Sequence, residues 1–201
     1  MTQALVLGLL TRLGLAVHET VDPAAFARAL ESWHEFYILA GTAAVTLAGL
    51  LFVSMSLNME HLLHDSRAHL MRFARNTMLV YVVVLLMSLM MLVPDLPAPI
   101  LAAQVGTLGV LLGALSLLAM VRLVREPDPL FTRRHRLRRA LSPVLASALM
   151  VSAASGLARA ERDAFYELIA SVCVLLASAV WSSWDLLVGV ARARRGELTG
   201  A

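Results

Sequence analysis

The chain has 201 residues, of which 59 % are hydrophobic and only 15 % are charged. A soluble domain of this size could not cover so much apolar surface with so few charges, which excludes a water-soluble globular protein. All 17 basic residues are arginine, and the formal net charge is +3. In a membrane protein this excess is expected from arginines held on the cytoplasmic side, rather than from nucleic-acid binding.

Residues 1–35 are predicted to form an amphipathic N-terminal segment that does not span the membrane. The apolar stretch 4–17 is shorter than a typical span and contains an arginine. It lacks a basic region before it and a small-residue cleavage site after it, which argues against a signal peptide. An interfacial helix is therefore predicted, with a poorly formed signal sequence as the alternative.

A second helix is predicted to start at Asp22-Pro23, because aspartate is a good N-cap and proline suits the first helical position. Phe26, Leu30 and Trp33 follow at spacings of four and three, which gives one apolar stripe. This helix is expected to lie on the membrane surface. An aromatic cluster, Trp33 with Phe36 and Tyr37, is typical of the membrane–water interface.

Five apolar runs predict an all-α fold, an integral membrane bundle with about five transmembrane helices over residues 36–190. The fourth run is short and rich in serine, so four spans is the alternative. Ser142-Pro143 repeats the cap-plus-proline signal and predicts its start. Residues 191–201 form a polar tail. The predicted spans are residues 36–58, 77–93, 100–121, 143–157 and 168–190.

The arginines predict the direction of insertion. With the N-terminus outside, the cytoplasmic segments hold three, seven and three arginines, which leaves four outside. This 13-to-4 division is what the positive-inside rule expects. The C-terminus is therefore predicted to be cytoplasmic.

Small residues on two spans predict faces of close helix packing, because association in lipid depends on close approach of the backbones. They are Gly41, Ala44, Ala48 and Gly49 on the first span, and Gly109 and Gly113, a GxxxG pair, on the third. Packing within the chain is the first interpretation, and subunit contact or a pore lining is the alternative. The first span is expected to be the packing spine of the bundle.

The first span also carries a weakly polar stripe: Thr42, Thr46, Gly49, Val53 and Ser56. Its hydroxyls are expected to bond to the helix's own carbonyls or to cross-link helices, with pore selectivity as the alternative.

Asp185 is a carboxylate near the cytoplasmic end of the last span, flanked by two tryptophans. An arginine partner such as Arg192 or Arg72 is predicted, with a proton or cation relay as the alternative. Cys173 lies within an apolar run and is predicted to be an inert buried thiol.

Three histidines and two carboxylates follow the first span, where His61, Asp65 and His69 share one helical face and Glu60 pairs with His64. Histidine and carboxylate are ligands for divalent metals. A solvated cap at the membrane exit is the preferred interpretation, so His61, His64, Asp65 and His69 are only metal candidates. Neither a catalytic residue nor a cofactor is predicted.

Five arginines precede the fourth run and are expected to bind anionic lipid headgroups. They are Arg133, Arg134, Arg136, Arg138 and Arg139. Nucleic-acid binding is set aside, because neither aromatic residues nor a suitable motif accompanies them.

The stretch from Trp33 to Asn58 resembles a family of small bacterial membrane proteins with the signature W-x-x-F-[FY], a Gly/Ala-rich segment and L-x-G-L-x-F-V-x-x-S-[IL]-N. Leu92-Val93-Pro94, at the end of the second apolar helix, is similar too. Some members carry the label "modulator of FtsH protease", which implies a non-enzymatic partner of a membrane-anchored protease. The matching residues are Trp33, Phe36, Tyr37, Gly41, Leu47, Gly49, Leu50, Phe52, Val53, Ser56, Leu57 and Asn58.

The functional hypothesis is a non-enzymatic multi-pass protein of the bacterial inner membrane that acts through helix–helix contacts. It would be a modulator or subunit of a membrane complex such as a membrane protease, either as a homo-oligomer or with another membrane protein. An oligomeric ion channel or small transporter is the alternative. An enzyme is the third hypothesis and would need the histidine cluster to hold a metal.

Overall fold

The structure, a computed structural model, describes residues 23–57, 68–94, 96–125, 133–159, 161 and 163–194. This part of the chain forms six helices and no strand. Five of the helices are long and apolar enough to cross a membrane, so the predicted all-α membrane bundle is confirmed, while the direction of insertion stays a prediction. The helices are α1 Pro23–Ser32, α2 His34–Leu57, α3 Ala68–Met91, α4 Ala98–Arg125, α5 Arg133–Ala158 and α6 Ala164–Arg194.

Proline and backbone capping set several helix boundaries. α1 begins at Pro23, as the sequence predicts. α3 ends at Met91, and α4 begins immediately after Pro97, whose carbonyl accepts the Ile100 and Leu101 amides at 2.9 and 3.1 Å. Proline lacks the amide that a helix interior needs, so a proline-rich connection stops one helix and starts the next.

The fourth apolar run does not start a helix at Ser142-Pro143, and that prediction is wrong. α5 begins at Arg133 and carries Pro143 inside it. Arginine, leucine and alanine are strong helix formers, so the basic segment continues the helix despite the one backbone hydrogen bond that proline removes. The apolar part, Leu141–Ala158, is 18 residues long and qualifies as a span.

The five long helices pack as a curved row in the order α2, α3, α6, α5, α4. The α4–α5 contact is the most extensive, followed by α5–α6, α2–α3 and α3–α6. Only 28 % of the α2 span is buried inside the protein, against 44 % of the α3 span. α2 is therefore an edge helix, and the expectation that it is the spine of the bundle is wrong.

α1 packs onto the bundle through its apolar stripe. Phe26 and Leu30 are buried, and the Phe26 ring lies 5.6 Å from the ring of Phe165 at the start of α6. The Trp33 ring meets Tyr166 edge-on at 5.6 Å. Within the aromatic cluster Tyr37 is fully buried and Trp33 and Phe36 are half-buried, while the interfacial position of the cluster stays a prediction. We name the end that α1 covers the α1 end; the ends of α3 and α5 and the starts of α2, α4 and α6 also lie there.

Candidate functional site

The inner face of α2 packs on α3 through small residues. Gly41 and Ala44 are buried, and a Cβ added to Gly41 would lie 3.0 Å from the Cβ of Ser88. Ala48 is half-buried against the core. Tyr37 lies one turn before Gly41 on the same buried face. The inner face of α2 is thus in contact with the chain's own bundle.

The predicted GxxxG pair on α4 lies against α5. A Cβ added to Gly109 would be 2.9 Å from the Cβ of Met150, and one added to Gly113 would be 3.2 Å from the hydroxyl of Ser147. Gly106, one turn earlier, faces Ala154 at 3.3 Å. These glycines allow the close α4–α5 contact within one chain.

The opposite face of α2 presents its polar stripe to the outside. Every one of its five residues is exposed, and no heavy atom lies within 4 Å of a Cβ added to Gly49. Gly49 was predicted to belong to a packing face, but it makes no such contact within the described part of the chain. We name this surface the outer seam; it consists of Thr42, Thr46, Gly49, Val53 and Ser56.

The hydroxyl of Thr46 donates to the carbonyl of Thr42 at 2.8 Å, on its own helix. Because this hydroxyl already donates its hydrogen bond, Thr46 contributes a small side chain to the seam rather than a free donor. Ser56 is exposed near the end of α2. Thr107 on α4 forms the same backbone bond, to Ala103, so the arrangement is ordinary for a hydroxyl in a span.

The remaining charged candidates are only partly described. Asp185 is half-buried on α6 and takes part in an interaction, so it is not an isolated charge. The side chains of its predicted partners, Arg192 and Arg72, lie outside the described residues. Trp181 and Trp184 beside it are exposed.

The predicted metal and lipid sites fall largely outside the described residues. His61, His64 and Asp65 lie there entirely, together with Glu60, and only the backbone of His69 is described. The five arginines form the first two turns of α5, just before its apolar part, but their side chains are not described. Within the described ranges, no three histidine, cysteine, aspartate or glutamate residues are grouped as a metal site would require.

Cys173 is exposed, so its predicted burial is wrong. On α6 the buried positions include Val172, Leu175 and Ala179, at spacings of three and four. Cys173 lies one residue beyond Val172, which turns it about 100° away from the buried face. An apolar run alone does not tell which face of a helix is buried.

Sequence reasoning missed a set of buried polar atoms. The hydroxyls of Tyr37 and Ser88, the side-chain oxygen of Gln104 and one carboxyl oxygen of Glu167 are buried without a hydrogen-bond partner in the described structure. Glu167 was missed because the last span was predicted to begin at residue 168, whereas α6 begins at Ala164. An acidic residue one turn inside a helix start was the available signal.

The candidate functional surface is therefore the outer seam of α2, and the buried oxygens form a separate feature near the α1 end. Comparisons with protein-family models, curated proteins and solved structures gave no match to this chain.

Proposed function

We propose that this protein is a non-enzymatic membrane protein that binds a transmembrane helix of a partner along the outer seam of α2. In this role it is a modulator or subunit of a membrane complex. The carrying observation is that small and hydroxyl-bearing residues, interrupted by Val53, form a stripe on the exposed side of an edge helix. The resemblance of the same stretch to a family with members labelled as protease modulators supports this role.

The spacing of the seam suits a second helix. Its residues recur at intervals of four, three, four and three, which keeps one line of contact over about four turns. Lipid chains are as apolar as leucine, so helix association in a bilayer depends on backbones approaching closely. Glycine and threonine allow that approach, and a left-handed crossing of about 20° would follow from this spacing.

The outward face of α4 shows what a lipid-facing surface of this protein looks like. It carries large apolar side chains: Val110, Leu111, Leu115, Leu117 and Leu118 are all exposed. α2 also exposes large side chains, such as Leu39 and Leu50, but they flank the outer seam. Apart from Val53, the seam carries smaller side chains than the surface beside it, which would let the backbone of a second helix approach closely.

The bacterial inner membrane is the proposed location, with the α1 end outside and the arginine-rich end in the cytoplasm. The arginines of α5 and the ends of α4 and α6 lie at the end opposite α1. Anionic headgroups of the cytoplasmic leaflet would attract them.

Association in mild detergent and in lipid nanodiscs tests the proposal. Gly49→Leu places a large side chain in the outer seam, and Ala114→Leu makes a comparable enlargement on the exposed face of α4. We expect the wild type and Ala114→Leu to remain in a complex after solubilisation and cross-linking, and Gly49→Leu to be lost from it. A wild-type protein that is always monomeric and without a partner contradicts the proposal.

An oligomeric channel or small transporter is the second candidate, because the same seam presents hydroxyls that could line a pore shared between copies. The Thr46 hydroxyl bonds its own backbone, which favours packing over solvation of an ion. Ion flux in proteoliposomes decides this, with Thr46→Val and Asp185→Asn as variants. The absence of flux under every gradient removes the channel.

A further inference from the structure

Four buried side-chain oxygens without a partner lie in the same half of the bundle. Tyr37 is three residues from the start of α2, and Ser88 is three residues from the end of α3. Gln104 and Glu167 are six and three residues from the starts of α4 and α6. Since these helix ends all lie at the α1 end, the four oxygens occupy its half of the bundle.

Contacts place three of these oxygens. Ser88 faces Gly41 across the α2–α3 contact, with Tyr37 one turn away on the same face. Gln104 lies in the second turn of α4, about 200° round the helix axis from Gly106, the residue that faces Ala154 of α5. Glu167 lies on α6 between Ala164 and Ser171, which contact Gly156 and the Ala146 carbonyl of α5.

The other buried hydroxyls of the described bundle have protein partners. Tyr81 shares a 3.0 Å hydrogen bond with Ser183, and Ser116 donates to the Leu112 carbonyl at 2.7 Å. Ser171 donates to Ala146 at 3.1 Å, across helices. The hydroxyl of Ser147 bonds the carbonyl of Val144, so Ser88 is the exception among the buried serines of the described residues.

Leaving a buried hydroxyl or amide oxygen without a partner costs about 1–3 kcal/mol each, so native proteins seldom keep such groups dry. Ordered water is the usual partner where protein groups are lacking. Each of the four oxygens accepts a hydrogen bond, and the two hydroxyls also donate one. Water can therefore satisfy all four, whereas an apolar ligand could satisfy none.

We propose that the half of the bundle near α1 holds internal water, hydrogen-bonded to Tyr37, Ser88, Gln104 and Glu167, while the described part of the middle and of the opposite half is dry. α1 covers this wet layer through the Phe26–Phe165 contact, and the water reaches it past the edges of that cover. The dry half prevents the water from forming a continuous column through the membrane. This site is independent of the outer seam, which lies on the other side of α2.

Radiolytic hydroxyl-radical footprinting of the wild-type protein in nanodiscs tests this proposal, because radicals formed from bound water label the side chains beside it. Tyr37 and Tyr81 are a matched pair, being 0 % and 1 % exposed. We expect Tyr37 to be labelled several-fold faster than Tyr81, with exposed Tyr166 as the reference. Equal, slow labelling of both overturns the wet layer, and equal, fast labelling overturns the dry half.

Cysteine substitution gives a second test that hardly changes side-chain size. In a Cys173→Ala background, Ser88→Cys is compared with Ser116→Cys in the opposite half of the bundle, both at buried positions. Thiols react as thiolates, which form only where water is present. We expect a small methanethiosulfonate to modify only the cysteine at position 88. Modification of neither cysteine, or of both alike, counts against the proposal.

Discussion

α2 and α4 are the two ends of the helix row, and both carry glycines. Only α2 has a glycine that faces away from the bundle. The glycines of α4 face α5, so its outward side is left with leucine and valine. α2 has Gly41 against α3 and Gly49 facing away from the bundle. One edge helix therefore uses its small residues for its own fold, whereas the other keeps a second set available for contact.

This difference shows that a small-residue motif predicts close contact but not the identity of the contacting helix. GxxxG on α4 is satisfied within the chain, so it offers no support for oligomerisation. The outer seam of α2 lacks the GxxxG signature, yet it is the surface that remains open in the described structure. Substitutions that enlarge glycines on α2 and α4 should therefore have different effects on stability and association.

The largest effect is expected from Gly109→Leu. The new Cβ would lie 2.9 Å from the Met150 Cβ, with Val151 and the Ser147 carbonyl close behind it. Overpacking at such a contact costs about 3 kcal/mol of unfolding free energy. Denaturation in mixed detergent micelles measures this loss, and Ala114→Leu on the outward face serves as the control. Equal stability of both variants would show that α4 and α5 are not tightly packed.

An intermediate effect is expected at the α2–α3 contact. Gly41→Ala brings a Cβ to 3.0 Å from the Cβ of Ser88, and Ser88→Gly removes that atom. A double-mutant cycle of these two substitutions should give a favourable coupling of about 1 kcal/mol, measured by the same unfolding assay. The cycle cancels the helix-propensity changes of the single variants. A coupling near zero would mean that the helices separate easily here.

A small effect on stability, and of opposite sign, is expected from Gly49→Leu. The position is open, and leucine favours a helix over glycine by at most about 0.8 kcal/mol, so the variant should unfold no earlier than wild type. Its effect should appear in association instead. Loss of stability comparable with Gly109→Leu would place Gly49 in the chain's own packing and remove the distinction between the two helices.

The smallest effect is expected from Thr46→Val. It removes a hydroxyl bonded to the helix's own backbone on an exposed face, and the two side chains have nearly the same shape. The unfolding free energy should change by less than about 0.5 kcal/mol. Association should persist if shape determines the contact at the seam. Complete dissociation would indicate that the Thr46 hydroxyl bonds the partner.

Much of the fold could be predicted from the sequence, because a helix that crosses lipid must be long and apolar. A helix must satisfy its own backbone in the membrane, so runs of about 20 apolar residues are read directly as spans. Helix ends were predicted less well. α5 begins nine residues before Ser142, because the preceding arginines are themselves good helix formers and one proline does not stop a helix that continues on both sides.

The candidate site was predicted as a set of residues but not as a surface. The stripe from Thr42 to Ser56 was visible in the sequence, whereas its exposure was not. In water, hydropathy separates the two faces of a helix, but in a membrane both faces are apolar. The exposure of Cys173 was mispredicted for the same reason.

The sequence by itself determined that five helices are long and apolar enough to span a membrane, where their apolar segments lie and which residues are small enough for close contact. Hydrophobic length and residue size are local properties, so they can be read along the chain. Only the tertiary structure decided that α2 is an edge helix, that Gly109 faces Met150 and that Gly49 faces outward. Which helices become neighbours depends on how all the small faces fit together, and no single segment contains that information.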